Sequence, residues 1–235
     1  MEPNYALRNK IAFMILVAVL SIIAACCSSS NKTTSNHQPN MVILLNFNGY
    51  DPEVALFDNE KYDSSGYSDS IQLKVLNETR EFFKDYDVTV TTDEYLYNSY
   101  PVKKRYRAVI STTKVLRENG FWVTEMTGIA YYNIHYLGDT SAAYINAEGY
   151  HKSDKYVAAN IAHEVGHLIG LAHQSVFEGV QTIAEYRPAT KDSIAPIMGN
   201  PTAGNRFVWY DGTNDFGQYQ SDTAILAKVL GRTRH

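Results

Sequence analysis

Cysteine is nearly missing from this 235-residue chain. Its two cysteines are adjacent, Cys26 and Cys27, and none follows them. The later residues can form no disulfide and offer no thiolate to a metal, so a folded part must be held by its core. About 190 residues suffice for that. Charge of one sign is not in excess either. The formal net charge is -4 with Lys and Arg scattered, which argues against nucleic acid as a partner. With 20% charged and 45% apolar residues, the composition is that of a globular chain and excludes a disordered one. No internal repeat, EF-hand loop or glycine-aspartate repeat occurs, so no calcium is expected at Asp139, Glu148 or Asp154. No apolar run reaches the roughly 20 residues that span a bilayer.

A shorter apolar run does exist. Arg8 and Lys10 precede IAFMILVAVLSIIAA, fifteen uncharged residues, which is the pattern of a secretory signal. Its end, Ile23-Ala24-Ala25-Cys26, resembles a bacterial lipobox. That resemblance makes residues 1–25 a signal peptide and Cys26 the lipidated first residue of the mature protein; a plain secretory signal is the alternative. The polar stretch that follows has no apolar face to bury, so residues 26–40 are expected to be a flexible tether. The folded domain is expected over residues 41–235.

Within that domain, MVILLNF (41–47) reads as a buried strand. From Ser68 to Asp85 apolar residues recur at helical spacing. DVTVTTD (87–93), YRAVIS (106–111), GIAYYNIHY (128–136) and AAYIN (142–146) read as strands. A long helix is predicted over Lys155 to Ile169. Some fifty irregular residues follow, and a closing helix runs from Asp222 to Leu230, capped by Ser221 and ended at Gly231. The fold class is thus α+β, or mixed α/β.

One segment carries chemistry: HEVGHLIGLAH, His163 to His173. Helical residues four apart share a face, so His163 and His167 can reach one metal ion while Glu164 stands beside them, near a metal-held water. Gly170 can end the helix in the left-handed conformation and redirect the chain, letting His173 return as a third nitrogen ligand. Three protein ligands leave one tetrahedral position open, which is the pattern of a catalytic rather than a structural zinc site. Five fixed residues at this spacing are far rarer by chance than a bare HExxH.

HExxHxxGxxH followed by a methionine turn resembles the signature of the metzincin zinc peptidases. The turn is present as APIMGN, with Met198 twenty-five residues after His173. The order of elements is also similar to a metzincin N-terminal subdomain: a five-stranded mixed sheet with two helices, then the zinc helix, then an irregular subdomain with the methionine turn and a final helix. Residues 41–231 further look like a group of poorly described bacterial metzincin-like proteins, through Asn46-Phe47-Asn48-Gly49, the VTTD stretch and a late Gln220-Ser221-Asp222. Gln174, after the third histidine, departs from the usual subfamilies. Asn200 stands where some of them carry a tyrosine.

The resemblance implies a zinc-dependent endopeptidase working through a zinc-bound water with Glu164 as general base, on one catalytic zinc ion held by His163, His167 and His173. It also implies an extended protein or peptide substrate along Gly128, Ile129 and Ala130. The pocket for the side chain after the scissile bond falls around Asn200 and Pro201. Tyr186 or Tyr210 is a candidate oxyanion donor. His135 and His151 are the candidates for a second metal, though ordinary roles suit them better. The protein is expected to be a monomer in the bacterial cell envelope, held to the membrane by lipidated Cys26. Two alternatives stay open: a non-catalytic envelope lipoprotein that uses the zinc fold to bind a partner, and an amidase acting on cell-wall peptides.

Overall fold

The computed structural model describes residues 38–53, 56, 59–116, 122–123, 127–148, 153–200 and 204–233. The expected signal peptide, Cys26 and most of the tether lie outside them, as do His151 and Pro201. Among the described residues no helix is long and apolar enough to cross a membrane.

The first strand, β1 (Met41–Asn46), is buried along its whole length. A strand covered on both faces needs an unbroken apolar run, and MVILL (41–45) supplies one. Its side chains alternate between two layers. Met41, Ile43 and Leu45 enter the main core, and Val42 and Leu44 meet Tyr97 and Tyr100 on the other face. β2 (Val88–Thr91) and β3 (Arg105–Ser111) flank β1 in parallel. Beyond β3 lie β7 (Ala143–Asn146), also parallel, and β6 (Gly128–Ile129), antiparallel at the edge. The order β2-β1-β3-β7-β6 makes the expected five-stranded mixed sheet.

Helix α1 (Asp69–Phe83) buries Val75, Leu76, Thr79 and Phe83, and helix α3 (Asp154–Ile169) joins it in the main core. Helix α4 (Asp222–Leu230) begins at Ser221, whose hydroxyl accepts the Ala224 amide at 3.3 Å, and adds Leu226 and Leu230 to that core.

Three expectations need correction. The strand predicted over 87–93 stops at Thr91, because the Asp93 carboxylate accepts the amides of Tyr95 and Leu96 at 2.8 and 3.2 Å. An N-cap thus opens the short helix α2 (Glu94–Asn98) where a strand would have continued. The strand predicted over 128–136 shrinks to two residues. Asn133 takes a left-handed φ of 57°, and the amides of Asn133 and Ile134 turn away to the carbonyls of His167 and Leu168, at 2.8 and 3.1 Å. Those carbonyls belong to the last turn of α3, where helix carbonyls outnumber the amides that could bond them.

The segment expected to be irregular holds three two-stranded ribbons: β8 (Val176–Glu178) with β9 (Gln181–Ala184), β10 (Ile194–Pro196) with β11 (Arg206–Val208), and β12 (Asp211–Thr213) with β13 (Tyr219–Ser221). Strands of three or four residues are too short for alternation to show in the sequence. A further small ribbon pairs β4 (Val115–Leu116) with β5 (Trp122–Val123).

Candidate metal centre

Helix α3 is buried at every residue from Val157 to Gly166. Small residues let it sit this deep: Ala158, Ala159, Ala162 and Gly166 bring neighbours close to its backbone. A Cβ on Gly166 would lie 2.7 Å from the Met198 sulfur, so glycine there is what seats the methionine under the helix. The helix ends as a Schellman motif. Gly170, at φ 113°, donates to the His167 carbonyl at 3.0 Å, and Leu171 donates to Gly166 at 2.9 Å. The bend expected at Gly170 is therefore present, and it returns the chain to the helix face within three residues.

The return brings three histidines together. The Nε2 of His167 lies 3.1 Å from that of His163 and 3.0 Å from that of His173. Among the described residues this is the one group of three side chains arranged to hold a metal ion. The other ring nitrogens decide what the Nε2 atoms are. The Nδ1 of His163 is 2.6 Å from the carbonyl of Ile197, and that of His167 is 2.8 Å from the carbonyl of Leu171. A carbonyl can only accept, so both Nδ1 atoms carry the proton and both Nε2 atoms present lone pairs. The Nδ1 of His173 faces Asp215 Oδ2 at 3.5 Å, which favours the same tautomer.

Lone pairs this close repel unless a cation lies among them. A tetrahedral zinc ion with bonds of about 2.0–2.1 Å needs nitrogens about 3.3–3.4 Å apart, a few tenths beyond those found. Three imidazoles, with no thiolate or fourth side chain grouped with them among the described residues, fit a zinc site with one open position. Burial keeps all three imidazoles neutral, the ligand form. It lowers His163 well below the ordinary range, with His167 and His173 adding to the effect; it also lowers His167, and brings His173 to about 4.

Glu164 stands beside this group and is almost wholly buried. Burial pushes its carboxyl well above the usual carboxylate range. Among the described residues no hydrogen bond or ion pair engages it. Its Oε1 would lie 2.5 Å from a Cβ built on Gly128, so the missing side chain lets the edge strand β6 close against the carboxylate. Strand β6 is the sheet's outer edge on that side, with Ile129 and Ala130 half-buried after it.

The methionine turn ties the pieces together. Gly199 donates to Pro196 at 3.0 Å to close it, and the Ile197 carbonyl accepts from His163. The Met198 carbonyl accepts the Gln174 amide at 2.7 Å. The turn thus holds His163 and the residue after His173, and Met198 itself is wholly buried.

Comparison with known proteins gives little. No protein-family model matches the chain, and no curated protein matches it. Two solved structures of myroilysin are similar at 13% identity. One has a TM-score of 0.37 and covers 83% of this chain and 93% of that one. The other has a TM-score of 0.39 and covers 85% and 87%. A zinc-dependent peptidase from Methanocorpusculum labreanum is similar at 14% identity and a TM-score of 0.33, over 57% of this chain and 82% of that one. Likenesses this loose carry no argument. The chain's own residues must.

The remaining sequence candidates separate. The Tyr186 ring packs against His173, with centroids 4.4 Å apart. Tyr210 instead lies under the Arg187 guanidinium at 5.2 Å, and its backbone is bonded to Asp222 and Gln174. Asn200 donates its amide to Arg187 at 2.8 Å, just past the methionine turn. His135 bonds Asn133 at 3.1 Å, outside the three-histidine group. Asp139 pairs with Arg105 at 3.2 Å and Arg107 at 3.7 Å.

Sequence reasoning missed Asp215, and it missed why Gln174 departs from the familiar pattern. Gln174 is buried, and its Nε2 donates to Asp222 Oδ1 at 3.0 Å and to the Tyr210 carbonyl at 3.1 Å. Gln220 completes the knot. Its side-chain amide pairs with both backbone groups of Ala172, at 3.0 and 2.9 Å, and donates to Asp222 at 2.8 Å. The late Gln-x-Asp was the available signal, but nothing in the sequence said what it touches.

Proposed function

We propose that this chain is a zinc-dependent endopeptidase of the metzincin type, lipid-anchored in a bacterial envelope through Cys26. One observation carries the catalytic part. Three imidazole lone pairs converge beside a buried carboxylate, all on one helix and its return, next to an open sheet edge. The motif and its methionine turn support the family assignment. The lipobox supports the anchor.

His163, His167 and His173 would hold the metal. Zinc bound there supplies a Lewis acid that polarises a carbonyl and brings the pKa of water towards neutrality. The protein does the rest. The Glu164 carboxylate takes a proton from the attacking water at one oxygen and delivers it to the leaving amine as the C–N bond breaks. Burial under β6 keeps other water from that proton. The edge of β6 pairs the main chain of an extended peptide and sets the scissile bond over the three histidines. The side chain after the scissile bond would enter the region around Asn200 and Pro201, and Tyr186, beside His173, is the better placed of the two candidate oxyanion donors.

The test is Glu164→Gln. This isosteric change keeps the helix and the histidines but removes the proton acceptor. Zinc content should stay at one per chain while cleavage of a mixed peptide library disappears. A variant that still cleaves rules out Glu164 as the base.

A further inference from the structure

Two exposed aromatic rings are carried by segments bonded to the backbone of His167 and His173, and neither belongs to the three-histidine group. Tyr132 is 48% exposed and Phe216 is 62% exposed, and their ring centroids lie 5.9 Å apart at an interplanar angle of 55°. A single exposed aromatic needs no explanation. These two come from segments far apart in sequence and are fixed by the same device. Each ring is one residue away from a backbone bond to a metal-ligand residue. Asn133, after Tyr132, donates to the His167 carbonyl at 2.8 Å, and Asp215, before Phe216, donates to the His173 carbonyl at 3.0 Å. The Asn214 side chain also accepts the amides of Phe216 and Gln218 at 3.1 and 2.9 Å, locking the turn between β12 and β13. Both segments are therefore fixed relative to the histidine backbone, with about half of Tyr132 and more of Phe216 bare.

We propose that Tyr132 and Phe216 form an apolar subsite that selects a large aromatic or aliphatic side chain in the peptide substrate. The inference rests on the peptidase reading above. Tyr132 lies four residues along the chain from Gly128, which faces Glu164. At about 3.3 Å per extended residue, the selected side chain falls within about four residues of the cut. A peptide paired on β6 and crossing the histidines passes over this pair as it leaves. Two paired rings, open on their outer faces, offer stacking and apolar area but no cation to pair an acidic side chain. Asp215, next to Phe216 in the chain and facing His173, repels a carboxylate. The class selected is accordingly apolar and not acidic.

The experiment is digestion of a randomised peptide library by the zinc-loaded wild type, Phe216→Ala, Phe216→Leu and Tyr132→Phe, with the products sequenced. Kinetics are then measured on one peptide pair that differs only as Phe or Ala at the preferred position. The wild type should enrich aromatic or large aliphatic residues at one position near the cut. Phe216→Ala should lower the Phe-over-Ala ratio of kcat/KM about tenfold, as loss of a good apolar contact does. Phe216→Leu should restore most of that ratio, and Tyr132→Phe should keep it, since the hydroxyl takes no part. A wild type that cleaves without such enrichment, or a ratio unmoved by Phe216→Ala, overturns the subsite and leaves the peptidase reading standing. A zinc-loaded wild type that cleaves no peptide overturns both.

Discussion

Asp222 joins the last helix to the segment that carries the third histidine, and it does so from a position with no solvent exposure. Its Oδ1 accepts from Gln174 and Gln220, and its Oδ2 accepts the Tyr210 amide at 3.0 Å. Burial pushes the carboxyl up from 3.8 to about 6, and the three hydrogen bonds oppose that shift without cancelling it. The native state therefore keeps this proton over a range in which the unfolded chain has released it. Stability from this group is fully present below about pH 4 and is lost as the pH rises through 6. A shift of about two pKa units corresponds to ~3 kcal/mol. Asp222→Asn does not titrate and removes that dependence. It adds a constant penalty of about 1–2 kcal/mol, because its amide nitrogen faces the Tyr210 amide. Urea unfolding of both proteins at pH 4 and pH 7.5, with saturating zinc, isolates the effect, since other titrations are common to both and cancel. The stability gap should move by ~3 kcal/mol in favour of the variant at the higher pH. A gap that stays constant within about 0.5 kcal/mol would refute the reasoning, and would mean that three donors outweigh burial.

Two further substitutions probe the site's geometry. Gly128→Ala places a methyl group 2.5 Å from Glu164 Oε1, so hydrolysis should fall at least a hundredfold while zinc content is kept; unchanged kcat/KM would show that β6 can move aside. Met198→Ala empties a wholly buried position beneath Gly166 and should cost about 2–5 kcal/mol in chemical denaturation, and a loss below 1 kcal/mol would deny the methionine its packing role.

How much of this was legible beforehand depended on distance along the chain. The metal motif is local: helical periodicity and one glycine determine where three histidines point, so eleven residues sufficed. β1 was legible because burial on both faces leaves no polar position in its first five residues, MVILL. The 128–136 stretch misled because its apolar, β-branched composition suits a strand. Its amides nevertheless serve the end of α3, a demand set by a helix more than thirty residues later. The ribbons after His173 were invisible for a related reason, since each strand is specified by partners and not by its own pattern. Gln174 shows the limit most plainly. In the sequence it is an odd residue after the third ligand, and in the fold it is one corner of a buried polar knot with Gln220 and Asp222.

That knot also sets a schedule. The eleven residues of the motif leave a ribosome together, but the amide that grips Ala172 belongs to Gln220, 48 residues later. Asp215, which faces the third histidine, is almost as late. During synthesis the helix and its first two ligands can form early, because their contacts are close in sequence. His173 meets Asp215, and Ala172 meets Gln220, only once the β12–β13 hairpin has emerged and docked. A nascent or truncated chain ending before residue 220 would carry every residue of the motif and still lack the side chain that holds both backbone groups of Ala172.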